Sequence, residues 1–434
     1  DDAPVRERRA PRGGTMDAKQ ASPRVRPMAE RYQRPDWVRR LNTMAGSVGG
    51  DARDIVPIDA ATLLATAERA LGDGPIGDFG DPAWREHFTQ LADAIDRSSM
   101  HVVGRLMSRQ ELLRGLRTRI RLARALAASP AIADAPVKAP VIVTGPARSG
   151  TTILFELLWL DPELRAPLAW EALHPLPPAS GRDAAERLAW SECEQELWAD
   201  VQPEFAAIHE LRSDLPVECV TLTLPSFVGP HWAMIGQLPG WASDFAGMYD
   251  YHRRVLQVMQ HGAEPRSWLL KTPGHLATLE MLFATYPDAW VVQTHRDPAK
   301  TMPSTVSTTA MVQWMRTDDV DVPALAAAIE GMFTWALNHT VELRTRGGVP
   351  DRFVDVHFDE LMRDPVATLR QAYERMRRPF TDAHAERIRA YLRDKPKGKF
   401  GVHRYAPEDW GFTAESLRRG LAPYIEHFGV ALED

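Results

Sequence analysis

The chain has 434 residues with 52 Lys plus Arg against 58 Asp plus Glu, and its formal net charge of -6 is too acidic for a general nucleic-acid surface. Hydrophobic residues at 44% and charged residues at 25% are the balance of an ordinary globular protein, long enough to bury a core without staples. Cys193 and Cys219 exclude a disulfide framework, and no apolar run approaches the ~18 residues of a membrane helix, so the expected setting is reducing, cytoplasmic and metal-free.

Residues 1–35 mix Arg, Pro, Gly and Asp with little apolar periodicity and read as a flexible arm. Residues 36–135 read as a helical extension. Asp81-Pro82 is a start signal, with Asp as N-cap and Pro at the first helical position, for a helix over 84–95. A longer helix over 101–128 carries a seam of Leu106, Leu113, Leu116, Ile120 and Ala123 at helical spacing. Beside the seam runs a ridge of Arg114, Arg117, Arg121 and Arg124. A solvated basic face accounts for such a ridge, and contact with an anionic partner, a membrane surface or a second subunit is the alternative.

From residue 137 the pattern changes. Apolar runs at 141–144, 268–271, 290–294 and 353–357 read as buried strands, each followed by a helical pattern at 151–160, 276–286, 298–315 and 365–376. Asp297-Pro298 and Asp364-Pro365 repeat the helix-start signal. This alternation predicts an α/β fold over 136–434, a P-loop-type parallel sheet flanked by helices. Residues 172–265, rich in Trp, His and Pro, read as a helical cap over it.

After the first strand comes Gly145-Pro146-Ala147-Arg148-Ser149-Gly150-Thr151-Thr152. A strand running through a Gly-bounded turn into a helix aims backbone N–H groups and a helix dipole at an anionic group. Gly145 and Gly150 have Walker A spacing, but Thr151 stands where that motif has Lys, and Thr152 takes the Ser/Thr position. A nucleoside triphosphate would lack its main β/γ-phosphate contact here. Arg148 offers a cation from another direction.

A phosphate loop without the Walker lysine but with a cation inside it resembles that of the sulfotransferases, in which Lys or Arg, Ser or Cys, Gly, Thr, and Thr or Ser follow one another. Arg148-Ser149-Gly150-Thr151-Thr152 fits that order. The resemblance implies that these residues hold the 5′-phosphosulfate of 3′-phosphoadenosine 5′-phosphosulfate (PAPS). Family members bind the 3′-phosphate with a strand-end Arg and a Ser eight residues on, and Arg296 and Ser304 have that spacing. A guanidinium fork and a hydroxyl near a helix start suit a phosphate.

The third constellation is Trp268-Leu269-Leu270-Lys271-Thr272-Pro273-Gly274-His275. By resemblance Lys271 stabilises the leaving phosphate. Cytosolic sulfotransferases place a His base two residues after this Lys, whereas His275 follows by four, a pattern similar to a bacterial, actinobacterial-type branch. Glu171, 22 residues after Ser149, lies where carbohydrate and some bacterial members carry a catalytic Glu, so Glu171 and His275 are both candidate bases. Partial burial would raise the pKa of such a Glu towards the range useful to a general base. His209-Glu210 and Pro216-Val217-Glu218-Cys219 resemble another element of that branch, with no chemistry to assign. Lys397, in a basic C-terminal loop, stands where the family adds a cation for the 3′-phosphate.

The resemblance spans roughly residues 137–410 and implies sulfuryl transfer from PAPS to a hydroxyl, releasing adenosine 3′,5′-bisphosphate without a metal. A nucleotide kinase or other phosphotransferase is the alternative, but calls for Gly-Lys-Ser/Thr and an acidic Mg²⁺ ligand. A non-catalytic nucleotide-binding protein is another, and has no need of Lys271 or a base. Phe227, Trp232, Met234, Trp241 and Phe245 suggest a small apolar acceptor, a lipid, steroid or phenolic alcohol, with a carbohydrate as the alternative. A homodimer is compatible with these features.

Overall fold

Buried parallel strands need apolar side chains on both faces, and the chain supplies them in short continuous runs. In the computed structural model, which describes residues 25–71, 76–176, 184–242, 245, 247–395 and 406–433, these runs form one parallel sheet. The strands are β1 (Val141–Thr144), β2 (Leu164–Arg165), β3 (Ser267–Lys271), β4 (Trp290–His295) and β5 (Phe353–His357), in the order β2-β3-β1-β4-β5. All four pairings are parallel.

Alternation along each strand divides the core into two layers. Val141, Val143, Leu269 and Val292 pack with Leu154, Phe155 and Leu158 of the helix Thr151–Trp159 and with Leu369 and Tyr373 of Pro365–Arg375. Ile142, Leu270 and Val291 face Val255 and Leu256 of Met248–Gln260 and Leu279 and Leu282 of Leu279–Thr285. The expected helix over 276–286 is thus two elements, a 3-10 turn Pro273–Thr278 and then Leu279–Thr285. Pro273 lacks an N–H and restricts the residue before it, so this segment starts as a tight turn.

The N-terminal helices Trp84–Arg97 and Val102–Ala128 are present. The first begins at Trp84 as expected, but its N-cap is Ala83 and not Asp81. Asp81 instead closes the preceding turn, accepting from the Ala83 N–H at 3.0 Å. These helices share a core with Phe227, Trp232, Met311 and Met315. At Gly104 the backbones lie close together: a Cβ there would be 2.1 Å from the Arg316 carbonyl oxygen.

Two expectations for the long helix are corrected. Leu106, placed in the seam, is exposed. The arginine ridge is half-buried, not solvated, and Arg114 donates to Glu194 Oε2 at 2.6 Å. Helix Ala184–Val201, which carries Glu194, covers that end of the ridge. Residues 1–24 of the expected arm lie outside the described residues. Residues 25–35 lie against the body: Met28 is buried, and the Arg34 guanidinium stacks 3.8 Å from the Trp314 ring. No helix among the described residues is long and apolar enough to cross a membrane.

Candidate active site

Three loops leave the carboxyl ends of adjacent strands β3, β1 and β4, where open α/β sheets bind ligands. Pairing of Val143 with Lys271 and of Thr144 with Gln293 brings the strand ends level. Loop 145–150 follows β1. Gly145 has φ 144°, and a Cβ on it would lie 2.0 Å from Thr294 Oγ1, so only glycine fits. Ser149 is buried beneath the loop. Its hydroxyl donates to the Pro146 carbonyl at 2.5 Å, and its Oγ lies 2.5 Å from Thr294 Oγ1. Its side chain therefore holds the loop to β4 instead of pointing outward. Gly150, at φ 92°, precedes helix Thr151–Trp159, whose first-turn N–H groups have no intrahelical partners. Arg148 and Thr152 are exposed beside them, and Thr151 is buried.

Lys271 closes β3 and is 2% exposed. Its ammonium donates to Glu218 Oε1 at 2.6 Å and to Thr152 Oγ1 at 3.3 Å, which ties β3 to the phosphate loop. Glu218 stands just before helix Cys219–Thr223, and His209 Nε2 lies 3.6 Å from the same carboxylate oxygen. Burial alone would push the Glu218 carboxyl up, but the Lys271 ammonium and the His209 ring outweigh it and hold it well below the usual carboxylate range.

Arg296 follows β4 and stacks 3.7 Å from the Phe358 ring. Its Nη1 donates to the Arg148 carbonyl at 2.7 Å, so the loops after β1 and β4 touch directly. Its Nε and Nη2 form a fork onto Glu433 at 2.7 and 2.8 Å. Glu433 is held in turn by its backbone, whose N–H donates to Asp297 Oδ2 at 2.8 Å and whose carbonyl accepts from Arg418 at 2.6 Å. Ser304, in helix Pro298–Trp314, is fully buried, and its Oγ is an orphan with no hydrogen-bond partner. A cationic fork, an orphan hydroxyl and a glycine-lined turn suit an anionic nucleotide.

The two candidate bases are placed differently. Glu171, in helix Ala169–Leu173, accepts from Arg165 at 3.1 Å and from the Leu168 N–H at 3.2 Å, so both its oxygens are engaged in capping and pairing. His275 is buried, with Nδ1 2.7 Å from the Tyr249 hydroxyl and Nε2 unpartnered. Burial pushes its imidazole down to about 3 against the pull of Glu218, so the ring is neutral and weakly basic. Lys397 lies outside the described residues. Its neighbour Lys395 donates to Glu156 at 2.6 Å.

Glu218 and Glu433 are the residues that sequence reasoning did not bring to the site. Glu218 stood in a segment already singled out, but its partner is 53 positions away in another element. Glu433 lies 137 positions from Arg296, and no local pattern marks it. Among the described residues no three His, Cys, Asp or Glu side chains are grouped to hold a metal.

The model described as the sulfotransferase family matches residues 140–382, which is more than half of the chain and includes the loops after β1, β3 and β4. A solved sulfotransferase from Mycobacterium avium, STF9, is similar with a TM-score of 0.74 and 28% identity, over 87% of this chain and 98% of its own. The sulfotransferase STF1 from Mycobacterium tuberculosis H37Rv is similar with a TM-score of 0.67 and 26% identity, over 83% of this chain and 98% of its own. No curated protein sequence matches the chain.

Proposed function

Because the chain belongs to the sulfotransferase family, an enzyme family of sulfuryl transfer, we propose that it moves a sulfuryl group from PAPS to the hydroxyl of a small acceptor and releases adenosine 3′,5′-bisphosphate. The observation that carries this reading is the convergence of Thr152, Lys271, Arg148 and Arg296 at one sheet edge, joined by Lys271–Thr152 and Arg296–Arg148 contacts of 3.3 and 2.7 Å. The N–H groups of loop 145–150 and the first turn after it, with Arg148, Thr151 and Thr152, would hold the phosphosulfate. Arg296 and Ser304 would hold the 3′-phosphate, with Lys397 a further cation for it.

In-line sulfuryl transfer spreads charge over the equatorial oxygens, as phosphoryl transfer does. The loop amides are fixed before reaction and, with Lys271, would meet the charge that develops on the leaving phosphate. Glu171 and His275 are the proton acceptors that the family resemblance offers, and each already has a structural partner.

The acceptor we propose is a small alcohol, preferably apolar. Of the five side chains that suggested this, Phe227 and Trp232 are fully buried in the core, while Met234, Trp241 and Phe245 are partly exposed. The reducing cytoplasm is the proposed setting, supported by the two unpaired cysteines.

Labelled PAPS offered with lipid, steroid, phenolic and carbohydrate alcohols tests the reading. Wild-type protein is expected to transfer label to at least one class. Lys271→Ala should lose transfer by about 10²-fold or more while it still binds adenosine 3′,5′-bisphosphate. Failure of the wild-type protein to bind that nucleotide would end the proposal.

A further inference from the structure

We propose that Glu218 takes the proton of the acceptor hydroxyl, and that its pairing with Lys271 withholds it until the donor is in place. The inference rests on the sulfuryl-transfer reading above.

Lys271 Nζ lies 2.6 Å from Glu218 Oε1 and 3.3 Å from Thr152 Oγ1, between a carboxylate and the phosphate loop. An anion seated on that loop competes with Glu218 for the same charge. Lys271 itself is 2% exposed, but the Glu218 side chain keeps 18% exposure, enough for a hydroxyl to reach it. The titratable groups around Glu218 are Lys271 on β3, His209 on the preceding loop, Cys219 in the next helix and His275 after β3.

While Lys271 pairs with it, Glu218 is a poor base. Drawing the ammonium toward a loop-bound phosphosulfate removes its main counter-charge. Burial then dominates and raises the proton affinity of the carboxylate. The base is therefore made by the arrival of the donor. In the transfer step the acceptor oxygen bonds to sulfur as the bond from sulfur to the 5′-phosphate oxygen breaks. That electron pair leaves with adenosine 3′,5′-bisphosphate beside Lys271, and the hydroxyl proton passes to Glu218 and on to solvent.

The test measures proton linkage as well as rate. Adenosine 3′,5′-bisphosphate is titrated into wild-type and Glu218→Gln protein by calorimetry near pH 6, in buffers of different ionisation enthalpy. Wild type should take up more protons on binding than the variant, which should bind at least as tightly because Lys271 is released. Tight binding also shows that the variant is folded. With an acceptor from the panel, Glu218→Gln should lower kcat by about 10²-fold or more with little change in KM for PAPS, and remove the acid limb of the pH profile. Glu218→Asp should recover part of the rate.

Equal proton uptake in both proteins overturns the proposal. So does a Glu218→Gln kcat within about threefold of wild type, or an acid limb that disappears in Glu171→Gln or His275→Gln and persists in Glu218→Gln. A wild-type protein that neither binds the nucleotide nor transfers sulfate would bring down the underlying reading, and this is measured before any variant is compared.

Discussion

Replacing Glu433 with alanine should tighten binding of adenosine 3′,5′-bisphosphate about fivefold. Arg296 spends two of its donors on the Glu433 carboxylate, at 2.7 and 2.8 Å, in the two-pronged geometry by which a guanidinium takes a phosphate. A nucleotide whose 3′-phosphate uses Arg296 must first displace that carboxylate. Charge-assisted bonds contribute about 1.5–3 kcal/mol, but the Glu433 side chain is 32% exposed and Arg296 17%. Solvent screening therefore lowers the contribution to about 1 kcal/mol, which corresponds to about a fivefold change in affinity.

The substitution is local. Asp297 and Arg418 hold Glu433 through its backbone N–H and carbonyl, and the Arg296–Arg148 contact is independent of the carboxylate. Calorimetric titration of both proteins at low ionic strength measures the difference, with Arg296→Ala as the companion expected to bind more weakly. Unchanged or weaker binding by Glu433→Ala would refute the competition and assign the carboxylate to orienting Arg296. Unchanged binding by Arg296→Ala would show that the phosphate is held elsewhere.

Gly145→Ala should destabilise the fold by about 3 kcal/mol, because it combines left-handed backbone strain with overpacking, its Cβ lying 2.0 Å from Thr294 Oγ1 and 2.8 Å from the Thr294 carbonyl oxygen. Urea denaturation checks this, and a loss under about 0.5 kcal/mol would mean that the loop re-forms without its glycine. Glu111→Gln should cost about 3–5 kcal/mol by the same assay, since it leaves the fully buried Arg316, now bonded to Glu111 at 2.7 and 2.9 Å, without its counter-charge. Burial alone would raise the Glu111 carboxyl, but Arg316 and His231 bring it to about 2, below its unfolded-state value. The stability it contributes is complete above about pH 4.3 and is lost as pH falls toward 2. Acid unfolding of wild type should therefore be steeper than that of Glu111→Gln across this window, and identical slopes would contradict the assignment.

The strands were legible in the sequence because a doubly covered parallel strand is a continuous apolar run, and β1 begins and ends where that run does, while the outer strand β5 shows itself through Phe353, Val354 and Val356 although Asp355 is exposed. The brief β2, Leu164–Arg165, offers only two residues of pattern and so carries little signal. Leu106 was misplaced because a helix over Val102–Ala128 meets different neighbours along its length, so one seam cannot describe it. Within the site, Gly145, Gly150, Lys271 and Arg296 were legible because each belongs to a short stretch at a strand end. Roles that depend on distant partners were not. Ser149 is one example: nothing near it in the chain marks Thr294, 145 positions on, as the partner of its hydroxyl.

These distant partners also account for how an acidic chain prepares a site for an anion. Lys271, Arg296 and the nearby Arg418 are each matched by a carboxylate of the protein: Glu218, Glu433 and Asp297. A buried cation left unpaired costs several kcal/mol, so the carboxylates keep Lys271 and Arg296 paired and oriented before any ligand arrives. The nucleotide then replaces one anion with another instead of entering an empty positive cavity. The exchange favours a ligand with two anionic groups spaced to reach both Lys271 and Arg296, because only such a ligand can take both cations from their resting partners. Of the two carboxylates it frees, Glu433 stays tethered by its backbone near Arg296. Glu218 is left beside the loop where the sulfuryl group would be held, and it is the one with chemistry to perform.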